Sequence, residues 1–324
     1  MYPVLSDIFK DLLGISFPIP IYSFGAMMAV GFLVAASLSR IEVDRLYQVG
    51  RLKGVRVPAP ERKGAGKKGG EKRKSKKRHA TVEASPSVLI GTLVIVAVVA
   101  GISGSKLFHI LENFGAFMRD PLGMIFSTGG LTFFGGLLLA GVSIAWYLRK
   151  KGISIPTFAD AALPTVLLAY GIGRIGCHLA GDGDWGIPAD VNAQPSWIPT
   201  WLWAESYPNA IIGSPGSPVY PTSVYEFGMC LVLFGILWSL RKHPFKSGWL
   251  FSLTLIFFGI ERFLIEQIRV NNTFDLFGMV VTQAEIISVL LVVAGLVGLA
   301  LTTKRREGKP TASDKKAPVP SPAA

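Results

Sequence analysis

Cysteine is scarce in this 324-residue chain. Cys177 and Cys230 are the only two, which excludes a disulfide-stapled scaffold and any metal site built from clustered cysteines. Charge is scarce as well: only 17% of residues are Asp, Glu, Lys or Arg, against about a quarter in soluble globular chains. Half of the residues are hydrophobic and the mean hydropathy is +0.45, a composition that excludes a single water-soluble domain. Histidine occurs four times, and His79, His109 and His243 fall in loops, so no histidine metal cluster is expected.

The formal net charge is +12, and its location decides its meaning. Residues 51–80 hold 13 basic and 2 acidic side chains, a net +11. Residues 304–316 add a net +4, leaving the rest of the chain at −3. The basicity is therefore local. The Lys/Gly-rich stretch 63–78 cannot bury a core and reads as a disordered, solvated loop that touches anionic lipid and enforces topology. No aromatic residue interleaves its lysines as it would on a nucleic-acid surface, so no nucleic-acid partner is expected.

Charge-free apolar stretches recur near the roughly 20 residues that a helix needs to cross a bilayer. Residues 17–39, 84–105, 121–148 and 286–303 qualify outright. Three more are interrupted by charge: 158–179 by Asp160 and Arg174, 221–240 by Glu226, and 249–270 by Glu261, Arg262, Glu266 and Arg269. The predicted fold is an all-α integral membrane protein of seven transmembrane helices with a small extracytoplasmic head. The amino-terminal region has neither a basic start nor a small-residue cleavage pattern, so the first stretch is expected to be retained as a span.

Basic short loops stay in the cytoplasm. Residues 51–80, Arg149-Lys150-Lys151, Arg241-Lys242-His243 and Lys304-Arg305-Arg306 all fall on one side of such a bundle, which places the N-terminus in the periplasm and the C-terminus in the cytoplasm. The expected organisation is a periplasmic N-terminus and first helix (1–50), a basic cytoplasmic loop (51–83) and helices two to four (84–181). A head segment (182–218), helices five to seven (219–303) and a basic tail (304–324) follow. Trp185, Trp197, Trp201, Trp203 and Tyr207 suit a head resting at the lipid boundary.

Ionisable groups inside spans are costly and mark function. Arg174, Glu226, Arg262, Glu266 and Arg269 all approach the outer leaflet in this topology. Arg262, Glu266 and Arg269 share one helical face by their i, i+4, i+7 spacing, and Glu261 points elsewhere. Such a ladder can serve packing alone. Three arginines against two glutamates would instead call for an external anion, and a planar guanidinium matches phosphate oxygens. Glycines gather at the same level, with Gly129-Gly130 and Gly135-Gly136 around Leu131-Thr132-Phe133-Phe134, and Gly171, Gly173 and Gly176 around Arg174. They permit either close helix contact or the approach of a lipid to backbone.

Four elements in order carry a resemblance. Gly173-Arg174-Ile175-Gly176-Cys177-His178-Leu179-Ala180-Gly181-Asp182-Gly183-Asp184-Trp185-Gly186 resembles the arginine-centred signature of the prolipoprotein diacylglyceryl transferases. The glycine-rich run from Gly129 to Gly136, Tyr220-Pro221-Thr222-Ser223-Val224-Tyr225-Glu226, and Arg262-Phe263-Leu264-Ile265-Glu266-Gln267-Ile268-Arg269 are similar to that family's other motifs, from about Tyr22 to Thr303. The resemblance implies a bacterial inner-membrane transferase without metal or soluble cofactor. It would move diacylglyceryl from phosphatidylglycerol to the lipobox cysteine thiol of a preprolipoprotein, and glycerol phosphate would leave. It assigns Arg174 and Arg262 as critical arginines, followed by Glu266 and Arg269, with Asp182 or Asp184 as the acidic residue. Tyr22, Glu226, Gly135 and Gly136 join the expected substrate-binding set. The family's histidine or tyrosine before the paired glycines is Phe134 here, which cannot take a proton, so His178 and Tyr225 are the candidate bases. Alternatively an electropositive site itself activates the thiol. Cys177 reads as a packing residue, since the thiol belongs to the substrate. The rival class is a transporter or channel with an anion or solute site at the outer leaflet.

Overall fold

The computed structural model describes residues 2–15, 18–58, 81–127, 132–271, 273–276 and 278–304. The lysine-rich stretch 63–78, Gly129-Gly130-Leu131 and the tail from residue 305 lie outside them. Eleven helices follow in chain order among the described residues: α1 (Leu5–Leu13), α2 (Ser23–Gln48), α3 (Ile90–Glu112), α4 (Phe114–Phe117), α5 (Pro121–Phe126), α6 (Phe133–Lys150), α7 (Ile155–Ala180), α8 (Thr200–Trp203), α9 (Thr222–Leu240), α10 (Trp249–Glu266) and α11 (Gln283–Thr302). Among the described residues, five segments are long and apolar enough to cross a membrane: α2, Pro86–Glu112 with α3, α7, α9 and α11. The chain is thus a mostly helical membrane protein. Of the other two long helices, α6 ends in Arg149-Lys150 and α10 carries Glu261, Arg262 and Glu266.

The helices follow the apolar stretches but differ at several ends, and α3 runs on to Glu112 rather than stopping near 105, so His109 lies on a helix and not in a loop. The apolar stretch 121–148 is divided: 121–126 forms the separate α5, capped by Asp120 on Gly123 N, and α6 starts at Phe133. The first helix runs on to Gln48 because Glu42 and Arg45, three residues apart, pair along it. The ends of the basic segment 51–83 are ordered: β1 (Val55–Pro58) and β2 (Thr81–Ala84) pair antiparallel. A second hairpin, β3 (Thr273–Leu276) with β4 (Met279–Thr282), leads into α11, whose start is fixed by a Thr282–Glu285 capping box.

Large apolar side chains point outward, among them Leu33, Leu290 and Val297, as expected where lipid rather than water surrounds the helices. Burial instead follows small residues. At Gly135 and Gly136 the space that a Cβ would need is held by Gly104 O, Phe108, Ser105 Oγ and Gly101 O of α3. Gly259, Gly295 and Gly298 similarly seat α10 against α11, and Gly171 lies against Cys230 of α9. The central helix α7 packs on α2, α9 and α10.

The basic end is tied by charge as well. Asp160 of α7 accepts from Gly248 N at 2.7 Å and Phe251 N at 2.8 Å, capping α10 from a neighbouring helix. His243 packs on Trp249 and lies 3.9 Å from Asp160, beyond hydrogen-bond reach. Burial, reinforced by Arg51 and Arg45, pushes the His243 ring from 6.5 down to about 4. The ring is neutral in the folded protein, so its contribution is intact above the unfolded value of 6.5 and is lost as pH falls toward about 4. Across that window the thermal midpoint of the wild type is expected to drop more steeply than that of His243→Phe. Parallel slopes would show that the ring does not titrate with unfolding.

Candidate active site

Arg174 lies in the last two turns of α7, Glu226 in the first two turns of α9, and Arg262 and Glu266 in the final turns of α10, with Arg269 just beyond. Helix direction brings all five to one end of the bundle. There they form one ion-pair cluster. Arg174 Nε bonds Glu226 Oε2 and its Nη1 bonds Asp184 Oδ2. Arg262 reaches Glu226 Oε1 at 3.1 Å and Glu266 Oε2 at 2.7 Å. Arg269 Nη2 bonds Asp184 Oδ1, and its Nη1 lies 3.9 Å from Glu226 Oε1.

Contrary to the expectation of three arginines against two glutamates, no arginine in the cluster is unmatched. Asp184 is a third carboxylate in the cluster, so three guanidinium groups meet three acids. It comes from the loop after α7, and tertiary contacts put it there. Gly186 N donates to Tyr220 O and Ile187 N to Ile268 O, both at 2.9 Å. The Asp184 carbonyl accepts from Thr222 Oγ1 at 2.8 Å and Ser223 Oγ at 3.1 Å. Gly186 itself is hemmed in by Ile268 O, Thr222 and Tyr220, with no room for a side chain. Burial opposes the charge on Asp184, but Arg174 and Arg269 outweigh it and hold the carboxyl below its usual range.

Asp182 stays exposed, and its Oδ1 accepts from Asp184 N at 3.2 Å. Cys177 Sγ, Asp182 and Asp184 come within 4.8 Å of one another. Arg174 lies 3.4 Å from that sulfur and bonds Asp184, so a guanidinium already supplies the positive charge that a cation would bring.

Tyr170, Ser223 and Asn271 also belong to the cluster, beyond the residues that the sequence motifs indicate. Tyr170 OH donates to Glu226 Oε1 at 3.1 Å, Arg174 Nη2 to Ser223 Oγ at 3.3 Å, and Asn271 Nδ2 to Glu266 Oε1 at 2.8 Å. Tyr170 alone had a readable signal, four residues before Arg174 on the same helical face. Glu261, expected to point away, is buried with neither carboxylate oxygen partnered among the described residues.

The remaining candidates stand apart. His178 Nδ1 lies 3.0 Å from Tyr207 OH, and Tyr207 is buried at a left-handed φ of 47°. Tyr225 OH donates to Leu202 O at 2.7 Å, tying α9 to the aromatic segment before it. Tyr22 precedes α2 and bridges to Val4, its side chain exposed. Gly135 and Gly136 lie in the α3–α6 seam.

A family model described as prolipoprotein diacylglyceryl transferase matches residues 71–301. The chain belongs to this family. Among the diacylglyceryl transferases similar to it is the phosphatidylglycerol–prolipoprotein diacylglyceryl transferase of Bordetella avium, 31% identical over 67% of this chain and 79% of the relative. The enzyme of the same name from Corynebacterium diphtheriae is 30% identical over 65% of this chain and 76% of its own length. That of Aliivibrio salmonicida is 36% identical over 64% of this chain and 68% of its own. The matched region contains every member of the ion-pair cluster.

Proposed function

We propose that this chain transfers the diacylglyceryl group of phosphatidylglycerol to the thiol of a lipobox cysteine in a preprolipoprotein, at the bacterial inner membrane. The carrying observation is the arginine cluster at one end of a membrane bundle in a chain of this family. The lipobox sulfur forms a bond to the glyceryl carbon as that carbon's bond to the phosphate oxygen breaks. Glycerol phosphate leaves, and the thiol proton balances the new phosphate monoester. Negative charge grows on the departing phosphate, where Arg174, Arg262 and Arg269 stabilise it. Glu226 and Glu266 hold those guanidinium groups in position.

All seven long helices span the membrane in this proposal. The end bearing Arg149, Arg241 and Lys304 faces the cytoplasm, and residues 182–218 form a periplasmic head over the cluster. A transport role would need polar groups continuing to the other leaflet. Between Glu226 and Arg241 in α9, and between Glu285 and Lys304 around α11, no Asp, Glu, Lys, Arg or His occurs. Purified protein given phosphatidylglycerol and a lipobox peptide should yield a thioether-linked diacylglyceryl peptide. No product, while a characterised family enzyme succeeds in parallel, would favour the transporter.

His178 and Tyr225 face the head segment and are proposed to shape the peptide's approach, with Tyr22 at the outer rim. His178→Gln is therefore expected to keep transfer within about tenfold of wild type, whereas loss of a general base costs about a hundredfold or more. A hundredfold loss with an unchanged thermal midpoint would give the ring a chemical role.

A further inference from the structure

Three arginines matched by three bonded acids, with the buried Glu261 carboxyl unpartnered near them among the described residues, leave no spare positive charge for a phosphodiester. Its arrival would add a further anion to a largely buried cluster, at considerable electrostatic cost. One carboxylate must then leave its seat or take up a proton.

Asp184 is the one built to leave. Its side chain is 31% exposed, against 0% for Glu226 and 1% for Glu266. It stands on a loop, between Gly181 at φ 64° and Gly186, with Gly183 at φ 94° beside it. The loop backbone stays anchored through the Asp184 carbonyl on Thr222 and Ser223, so turning the side chain alone frees the carboxylate. Its two oxygens bridge Arg174 and Arg269, one on each, as the two non-bridging oxygens of a phosphodiester would.

We propose that Asp184 is a built-in stand-in for the lipid phosphate. It holds Arg174 and Arg269 in place before lipid arrives, swings into water when the phosphate binds, and returns to displace glycerol phosphate. The proposal rests on the phosphate-clamp function above and adds an exchange of anion for anion. Because Arg174 and Arg269 hold the Asp184 carboxyl below its usual range, and a solvated aspartate is also ionised at neutral pH, the exchange moves no proton.

The test compares wild type, Asp184→Asn and Asp184→Ser in steady-state transfer from phosphatidylglycerol in mixed micelles, with glycerol 1-phosphate as product inhibitor. Removing the competing anion is expected to lower both KM for the lipid and the inhibition constant for glycerol phosphate by about tenfold, equivalent to one charge-assisted hydrogen bond. The turnover number falls as well, because product leaves slowly. A merely structural aspartate would raise KM instead. Raised or unchanged constants would overturn the exchange and leave the transferase standing if the wild type is active; an inactive wild type removes both. Should neither variant fold, wild type alone decides. Calorimetry of short-chain phosphatidylglycerol binding in two buffers of different ionisation enthalpy is expected to show no proton uptake. Uptake of about one proton per lipid would mean that the phosphate adds to an intact cluster, and would overturn the exchange.

Discussion

Arg174→Ala is expected to lower the turnover number by about a hundredfold or more, the loss typical of removing one donor aimed at developing charge. Arg174 occupies the centre of the cluster: it bonds Glu226, Asp184 and Ser223 and is itself buried. Arg174→Lys is expected to fail almost as badly. A single ammonium cannot present the planar fork that serves two carboxylates at once. Because the substitution also leaves Glu226 without its partner, thermal unfolding in detergent has to accompany the transfer assay. Folded Arg174→Ala with near-normal turnover would refute the assignment of this guanidinium to the lipid phosphate.

Glu226→Ala is expected to have the largest effect on stability, about 3–5 kcal/mol, the usual cost of breaking a buried pair by removing one partner. Glu226 is fully buried, and Arg174, Arg262 and Tyr170 all donate to it. Its removal leaves two guanidinium groups and a hydroxyl facing a cavity. Glu226→Gln keeps the shape and one acceptor oxygen, so it should recover part of the midpoint but little of the activity. Equal thermal midpoints for wild type and Glu226→Ala would show that the cluster contributes nothing to holding α7, α9 and α10 together.

The helices were legible in the sequence because crossing a bilayer imposes a length and an apolarity that are read locally. The shared face of Arg262 and Glu266 follows from helical periodicity alone, whereas Arg269, whose spacing also placed it on that face, lies past the end of α10 in a bridge with Gly186. The level at which Arg174, Glu226 and Arg262 meet follows from alternating helix direction. Each of these needs only one element or the order of elements.

What only the tertiary structure decided is which groups face one another. Arg174 and Glu226 are 52 positions apart, and no period connects them. Asp184 rather than Asp182 enters the cluster because the loop is pinned between the start of α9 and the end of α10, a choice made by hydrogen bonds to residues distant in the chain. The same long-range packing set Gly135 and Gly136 into the α3–α6 seam and turned His178 toward Tyr207. Residue types and helix order determined that charge would gather at one end of this membrane protein. Whether that charge is balanced depended on one loop carboxylate, because electrostatic pairing acts across space.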